Sequence, residues 1–180
     1  APVCYVFHYL NAWNEGSKVT FDSVDFPVAP NFPNADGSIP AHADAQGKLT
    51  RWTLDVDTGA IDRYQTLDVA SEFPRIDDRF AASRHRHGYL AAASQRAKGD
   101  GGLFHEITHI DCDTGDVSTW DAGFGNGVSE PVFVEKNSGA ITRMVIDVVE
   151  ERLSLPLEDQ ITAPAPFVRF NKTKSVVSDL

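Results

Sequence analysis

Apolar and polar residues alternate along most of this chain, the period-2 signature of strands, and helical periodicity is scarce before residue 140. Seven segments read as strands: V-C-Y-V-F-H-Y-L (3–10), S-K-V-T-F-D (17–22), L-T-R-W-T-L-D-V (49–56), A-I-D-R-Y-Q-T-L (60–67), H-G-Y-L-A-A-A (87–93), L-F-H-E-I-T-H-I (103–110) and E-P-V-F-V-E (130–135). Pro and Gly clusters punctuate them, notably at 26–47 and 98–102. After Lys136 the pattern changes. Ile141, Met144, Val145, Val148 and Val149 fall at near-helical spacing, with Arg152 and Leu153 close to the same stripe, and residues 167–180 read as a strand and a frayed tail. Residues 1–136 and a divergent segment, 137–180, therefore form the expected division.

One pattern repeats. W-T-L-D-V-D-T-G-A-I (52–61) parallels T-H-I-D-C-D-T-G-D-V (108–117), each a strand, a D-T-G turn and a second strand. The interval suits one four-stranded propeller blade, and Asp and Gly suit the turn because they tolerate left-handed backbone. Aspartic proteases also use D-T-G. There, however, a continuous apolar strand precedes the triplet, whereas Asp55 precedes Asp57, and Asp111 and Cys112 precede Asp113.

Composition narrows the partners. The chain of 180 residues is 42% hydrophobic and 23% charged, ordinary for a globular protein. A net charge of −10 opposes nucleic-acid binding and docking on anionic lipid. No apolar run reaches the length of a membrane span, and the start lacks the basic and apolar regions of a secretory signal. Cys4 and Cys112 read as two buried thiols of a cytoplasmic protein rather than a disulfide. The absence of an initiator Met, with a strand almost at once, suggests a piece of something longer.

Candidate chemistry centres on His8 in Y-V-F-H-Y-L-N-A-W-N-E-G (5–16). An imidazole buried on a sheet needs partners for both ring nitrogens: a satisfied core histidine is the plain reading, and a metal with an orienting carboxylate is the other. Glu72 in E-F-P-R-I-D-D-R-F and Glu130 in G-V-S-E-P-V-F-V each stand beside a proline-bounded apolar strand, where an unpaired carboxylate is costly.

Other motifs compete. H-E-I-T-H (105–109) matches the zinc-protease pattern H-E-x-x-H, which requires a helix. Upstream glycines, β-branched Ile107 and Thr108 and the D-T-G turn favour a strand, where the two histidines stand about 13 Å apart. His85 and His87 could share a strand face as a metal pair, although Arg84 and Arg86 would disfavour a bound cation. His42 lies in a loop and reads as solvated. The aromatics from Phe21 to Phe32 read as packing residues, with Phe26 and Phe32 also candidates for lining a cavity.

F-H-Y-L-N-A-W, E-F-P-R-I-D-D-R-F with R-H-R-H-G-Y, and G-V-S-E-P-V-F-V, in that order, resemble the carotenoid cleavage oxygenase family. F-P-N-A-D-G-S (32–38), L-T-R-W-T-L-D (49–55) and N-A-W resemble its bacterial lignostilbene dioxygenase branch. The resemblance implies an all-β fold, about three blades of a seven-bladed β-propeller. It implies a non-haem Fe(II) held by four histidines, three of them oriented by glutamates. On that pattern His8 matches the third ligand, Glu72 the carboxylate orienting it, and Glu130 the glutamate orienting the fourth. The first two ligands would precede Ala1, and no fourth is identifiable. The implied reaction inserts O2 across an alkene of a stilbenoid or apocarotenoid to give two carbonyl products, with no organic cofactor. This segment alone is expected to be incomplete as a catalyst. A non-catalytic propeller scaffold is the competing reading, in which Glu72 and Glu130 only pack.

Overall fold

The computed structural model describes residues 2–30, 32–41, 44–93, 104–123, 126–134, 143–146, 148–150 and 176–179. Apart from a 3-10 turn at Asp78–Phe80 and 3-10 conformation at Asp44, the assigned elements in those residues are strands.

Two antiparallel meanders form the body. The first sheet has the order β1 (Tyr5–Glu15), β2 (Lys18–Phe26), β3 (Lys48–Asp55), β4 (Ile61–Gln65). The second repeats it with β5 (Ala70–Arg75), β6 (His87–Ala93), β7 (Glu106–Asp111) and β8 (Val117–Asp121). Each is a four-stranded blade of the propeller type. A third region begins with β9 (Asn126–Val128) and β10 (Val132–Val134). There β9 pairs with β12 (Val148–Glu150), and β11 (Arg143–Ile146) lies between β10 and β13 (Val176–Asp179). The near-helical spacing of 141–153 is therefore corrected: the described part is two strands. M-V-I and V-V-E carry β-branched residues that fit a pleated ladder as well as a helix stripe, and pairing decides.

The D-T-G repeat forms matching hairpins, for a reason set two residues earlier. Asp55 Oδ1 accepts from the N–H groups of Asp57 (3.1 Å) and Thr58 (3.0 Å), and Asp111 Oδ1 from those of Asp113 (3.0 Å) and Thr114 (3.3 Å). Asp55 N–H donates to Ala60 O and Asp111 N–H to Asp116 O, both at 2.9 Å. Gly59 and Gly115 take φ +72° and +79°, which only glycine adopts without strain. The first aspartate folds each turn, and the D-T-G aspartates stay exposed.

The second sheet is buried on both faces. Leu10, Val24, Phe26 and Leu49 of the first blade pack with Leu67, Ile76, Leu90 and Ile110. Tyr89, Ala91 and Ile107 point the other way, toward Val128 and Phe133. Strand period explains the split, because Leu90 and its neighbours Tyr89 and Ala91 alternate sides. Phe26 thus belongs to the core, whereas Phe32 is half exposed and tilts against Tyr5.

Leu90 is fully buried between the blades, so Leu90→Ala should cost about 2–5 kcal/mol, read as a lower urea midpoint. Gly47→Ala should cost about 1–3 kcal/mol, since a Cβ there lies 2.5 Å from the Phe26 ring and 2.6 Å from Val24.

Candidate metal centre

The strands β1 and β5 are edge strands of their sheets and run past each other where the blades meet. Both carry a ladder irregularity at the same place. Three steps from Val6 to Tyr9 oppose two from Asp25 to Ser23, and three from Glu72 to Arg75 oppose two from Ala91 to Tyr89. Such bulges re-aim side chains, and here they turn His8 and Glu72 toward each other. His8 Nδ1 lies 2.5 Å from Glu72 Oε2. A carboxylate only accepts, so the ring proton sits on Nδ1, and in the neutral imidazole Nε2 keeps its lone pair. No hydrogen bond to Nε2 is made among the described residues.

Phe73 completes the device. Its backbone lies at φ +53°, a conformation that costs a bulky residue roughly 1–3 kcal/mol. The outcome is that Phe73 N–H donates 2.5 Å to the same Glu72 Oε2, while the Phe73 ring sits 5.4 Å from that of His8. Glu72 Oε1 is buried with no partner among the described residues. An orphaned carboxylate oxygen beside a ring with a bare nitrogen fits a site that a further group completes.

The expected residues fare differently. His8 is half exposed rather than buried, because it stands on an edge strand. Glu72 is buried, as expected. Glu130 is not in an apolar setting: it is half exposed, and Arg75 Nη1 donates to it at 3.4 Å, tying it to the strand that bears Glu72. His105 and Glu106 are buried and His109 lies on β7, so the helix that zinc-protease chemistry needs is absent there. His85 and His87 do not share a face: β6 starts at His87, which is exposed, while His85 precedes it and is buried. Cys4 and Cys112 are partly buried free thiols. His42 lies outside the described residues.

A second cluster escaped the sequence. Asp22, His85 and Cys112 bring ligand-type atoms within 4.8 Å of one another. His85 Nε2 is 3.3 Å from Asp22 Oδ2 and 3.7 Å from Cys112 Sγ. The surroundings oppose a cation. Arg51 already grips Asp22 through two 2.7 Å bonds, placing a guanidinium beside any ion. The Asn11 amide NH2 sits 3.2 Å from His85 Nδ1, which keeps the ring proton on Nε2. That amide is oriented by Phe80 O, Ser83 O and Ala82 N–H, so it cannot turn. The cluster is a polar lock between blades. Burial pushes the Asp22 carboxyl up, but the bonds from Arg51 and His85 outweigh it and hold it below its ordinary value. Burial, reinforced by the Asp22 charge, pushes the Cys112 thiol up to about 11, so it is no thiolate at neutral pH.

Comparison with known proteins identifies the family. Residues 1–154 match the model of the RPE65 (retinal pigment epithelial membrane protein) family. The chain belongs to that family of carotenoid cleavage oxygenases. It is 31% identical over 150 residues to isoeugenol monooxygenase of Pseudomonas nitroreducens, covering 78% of this chain and 31% of that enzyme. It is 30% identical over 144 residues to lignostilbene-alpha,beta-dioxygenase isozyme III of Sphingomonas paucimobilis, covering 73% and 29%. The solved lignostilbene dioxygenase of Pseudomonas brassicacearum superposes with a TM-score of 0.69 at 26% identity, over 82% of this chain and 36% of that one. The cobalt-substituted apocarotenoid oxygenase of Synechocystis shares the fold, with a TM-score of 0.69 at 22% identity, over 81% and 31%. The chain spans about a third of the length of the curated relatives it matches. Propeller architecture and membership of the oxygenase family are thereby established, and no helix among the described residues is long and apolar enough to cross a membrane.

Glu72→Ala should abolish the protected Nδ1–H resonance of His8 in proton–nitrogen NMR, while Glu72→Gln, which still offers a carbonyl oxygen, keeps a weaker one. Asp22→Asn should be less stable than the parent at neutral pH, because it strands the Arg51 cation. The depressed Asp22 group contributes stability that is present above the ordinary carboxylate pKa of about 4 and is lost as pH falls through its folded value. Urea unfolding across a pH series should therefore show the gap between parent and variant shrinking in acid.

Proposed function

We propose that the protein containing this chain cleaves an alkene C=C bond with O2 to give two carbonyl fragments, using Fe(II) held in part by His8. The observation that carries the proposal is the His8–Glu72 contact, which fixes one imidazole tautomer and presents its Nε2 at the edge where the blades meet. Imidazole nitrogen suits Fe(II), and a bound iron would supply activation of dioxygen toward an electron-rich alkene. The cobalt-substituted relative supports a metal in this fold.

Each residue of this chain has a stated part. His8 offers one nitrogen. Glu72 holds the Nδ1 proton and raises the donor strength of Nε2, as carboxylate partners of metal-bound histidines do. Phe73 holds Glu72 through its N–H, and its ring and that of Phe7 lie near the half-exposed His8 ring. Glu130 would orient the fourth, C-terminal histidine, which is not identifiable in this sequence, an assignment that rests on the motif order. One histidine cannot define an iron site, so residues 1–180 alone should be inactive.

The substrate we propose is an apolar or phenolic alkene, a stilbenoid ahead of an apocarotenoid. N-A-W and F-P-N-A-D-G support that order, as do relatives named for isoeugenol and lignostilbene. A cytoplasmic location is proposed from the free thiols Cys4 and Cys112. We keep 137–180 as a divergent C-terminal segment, its start still inside the family match, which runs to residue 154.

The test is O2 uptake and aldehyde formation by the complete protein, loaded with Fe(II), on a hydroxylated stilbene, isoeugenol and an apocarotenoid. Cleavage should require iron and should vanish in His8→Ala together with iron binding. Turnover by iron-free protein would refute the iron assignment, and turnover by the 180-residue chain would refute the claim of incompleteness. Absence of any cleavage by the iron-loaded protein would leave the scaffold reading standing.

A further inference from the structure

We infer that His87 and His109 form a two-histidine chelate for a divalent transition-metal ion of the zinc, nickel or copper type, separate from the His8–Glu72 centre. The ring nitrogens His87 Nδ1 and His109 Nε2 lie 3.0 Å apart. Two imidazole nitrogens bound to one ion at about 2.0–2.1 Å each stand roughly 3 Å apart, so chelation needs almost no movement.

The sheet pre-organises the pair. Tyr89 opposes His109 and His87 opposes Asp111 in the β6–β7 ladder, so the two imidazoles are diagonal neighbours on one face. Tyr89 lies against the His109 ring with centroids 5.0 Å apart, limiting its rotation. Ser118 faces His109 across the β7–β8 ladder, with its Oγ 3.2 Å from His109 Nδ1. With Ser118 Oγ accepting, the His109 proton stays on Nδ1 and Nε2 offers its lone pair. Without metal, that lone pair accepts from His87 Nδ1–H. On chelation the His87 proton moves to its own Nε2, which costs no net charge and proceeds through solvent because His87 is exposed. The neutral imidazoles are the ligand forms.

Charge and space permit the ion. Arg84 and Arg86, which the sequence sets against a cation here, are both neutralised: Arg84 binds Asp113 at 2.7 Å and Arg86 binds Asp111 at 2.8 Å. A cavity of about 360 Å³, bordered by His87, Tyr89, Asp113 and Phe133, leaves room for water to fill the remaining positions.

The experiment titrates zinc chloride, then nickel chloride, into the chelator-treated 180-residue chain, with His8→Ala in the background to remove the other candidate ligand. Calorimetry counts ions and proton–nitrogen NMR follows the two rings. The expected result is one ion per chain, with shifts at His87 Nδ1 and His109 Nε2, lost in His87→Ala and in His109→Ala. Ser118→Ala should weaken binding about 10–100-fold, as loss of an orienting partner does. His87 is exposed, so His87→Ala tests the site without disturbing the core. No binding by the folded His8→Ala chain, or binding that survives the His87→Ala, His109→Ala double variant, would overturn the proposal.

Discussion

The arrangement of this chain depends on one apolar contact, the face where the first blade meets the second. Leu10 stands on β1 two positions from His8, and it packs with Leu90 and Ile110 of the second sheet. Gly88 permits the approach, because a Cβ there would come within 2.9 Å of Leu10. That face sets the distance between the two edge strands, and the distance sets the His8–Glu72 bond. Burial of apolar area drives the contact without direction. Direction comes from the bulges, which place extra residues on both edge strands, and from the polar lock of Asp22, Arg51, His85 and Asn11.

Strain and orphaned polarity gather at the same point. Phe73 holds a left-handed backbone and Glu72 leaves one oxygen unpaired. Elsewhere the buried charges of the first blade are answered. Asp22 has Arg51, and Asp25 has Arg63, Trp52 and Ser23. A fold that satisfies its other buried carboxylates so fully, yet leaves Glu72 half satisfied and its neighbour strained, concentrates unspent interaction beside His8, the proposed ligand. Cys112 stays a protonated packing thiol because burial and the Asp22 charge outweigh the Arg51 cation, which favours a thiolate.

The motifs differ in how far local context could decide them. H-E-I-T-H is a strand because glycines and β-branched residues surround it, and that context lies within a dozen positions. The D-T-G hairpins are equally local, although the aspartate that closes each turn is the one before the triplet. The spacing of 141–153 misleads because two short strands with apolar neighbours mimic a helical stripe, and only pairing with β10 and β9 separates the two. His85 and His87 differ by two positions yet end in different environments, since β6 begins between them.

Local and medium-range information, present in the sequence itself, determined the all-β character, the blade repeat, the hairpin turns and the identity of His8 and Glu72 as a pair worth attention. The first three follow from side-chain alternation and turn chemistry, each written in a few adjacent residues; the pairing of His8 with Glu72 follows from the resemblance to the family. Tertiary structure alone decided which residues meet. The left-handed Phe73, the half-exposed setting of Glu130, the Asp22–Arg51–His85 lock and the His87–His109 pair all join residues remote in sequence, or rest on a bulge whose position depends on the partner strand. Strand alternation says which side of a sheet a residue takes, but not which strand lies beside it. Packing between blades supplies that second coordinate.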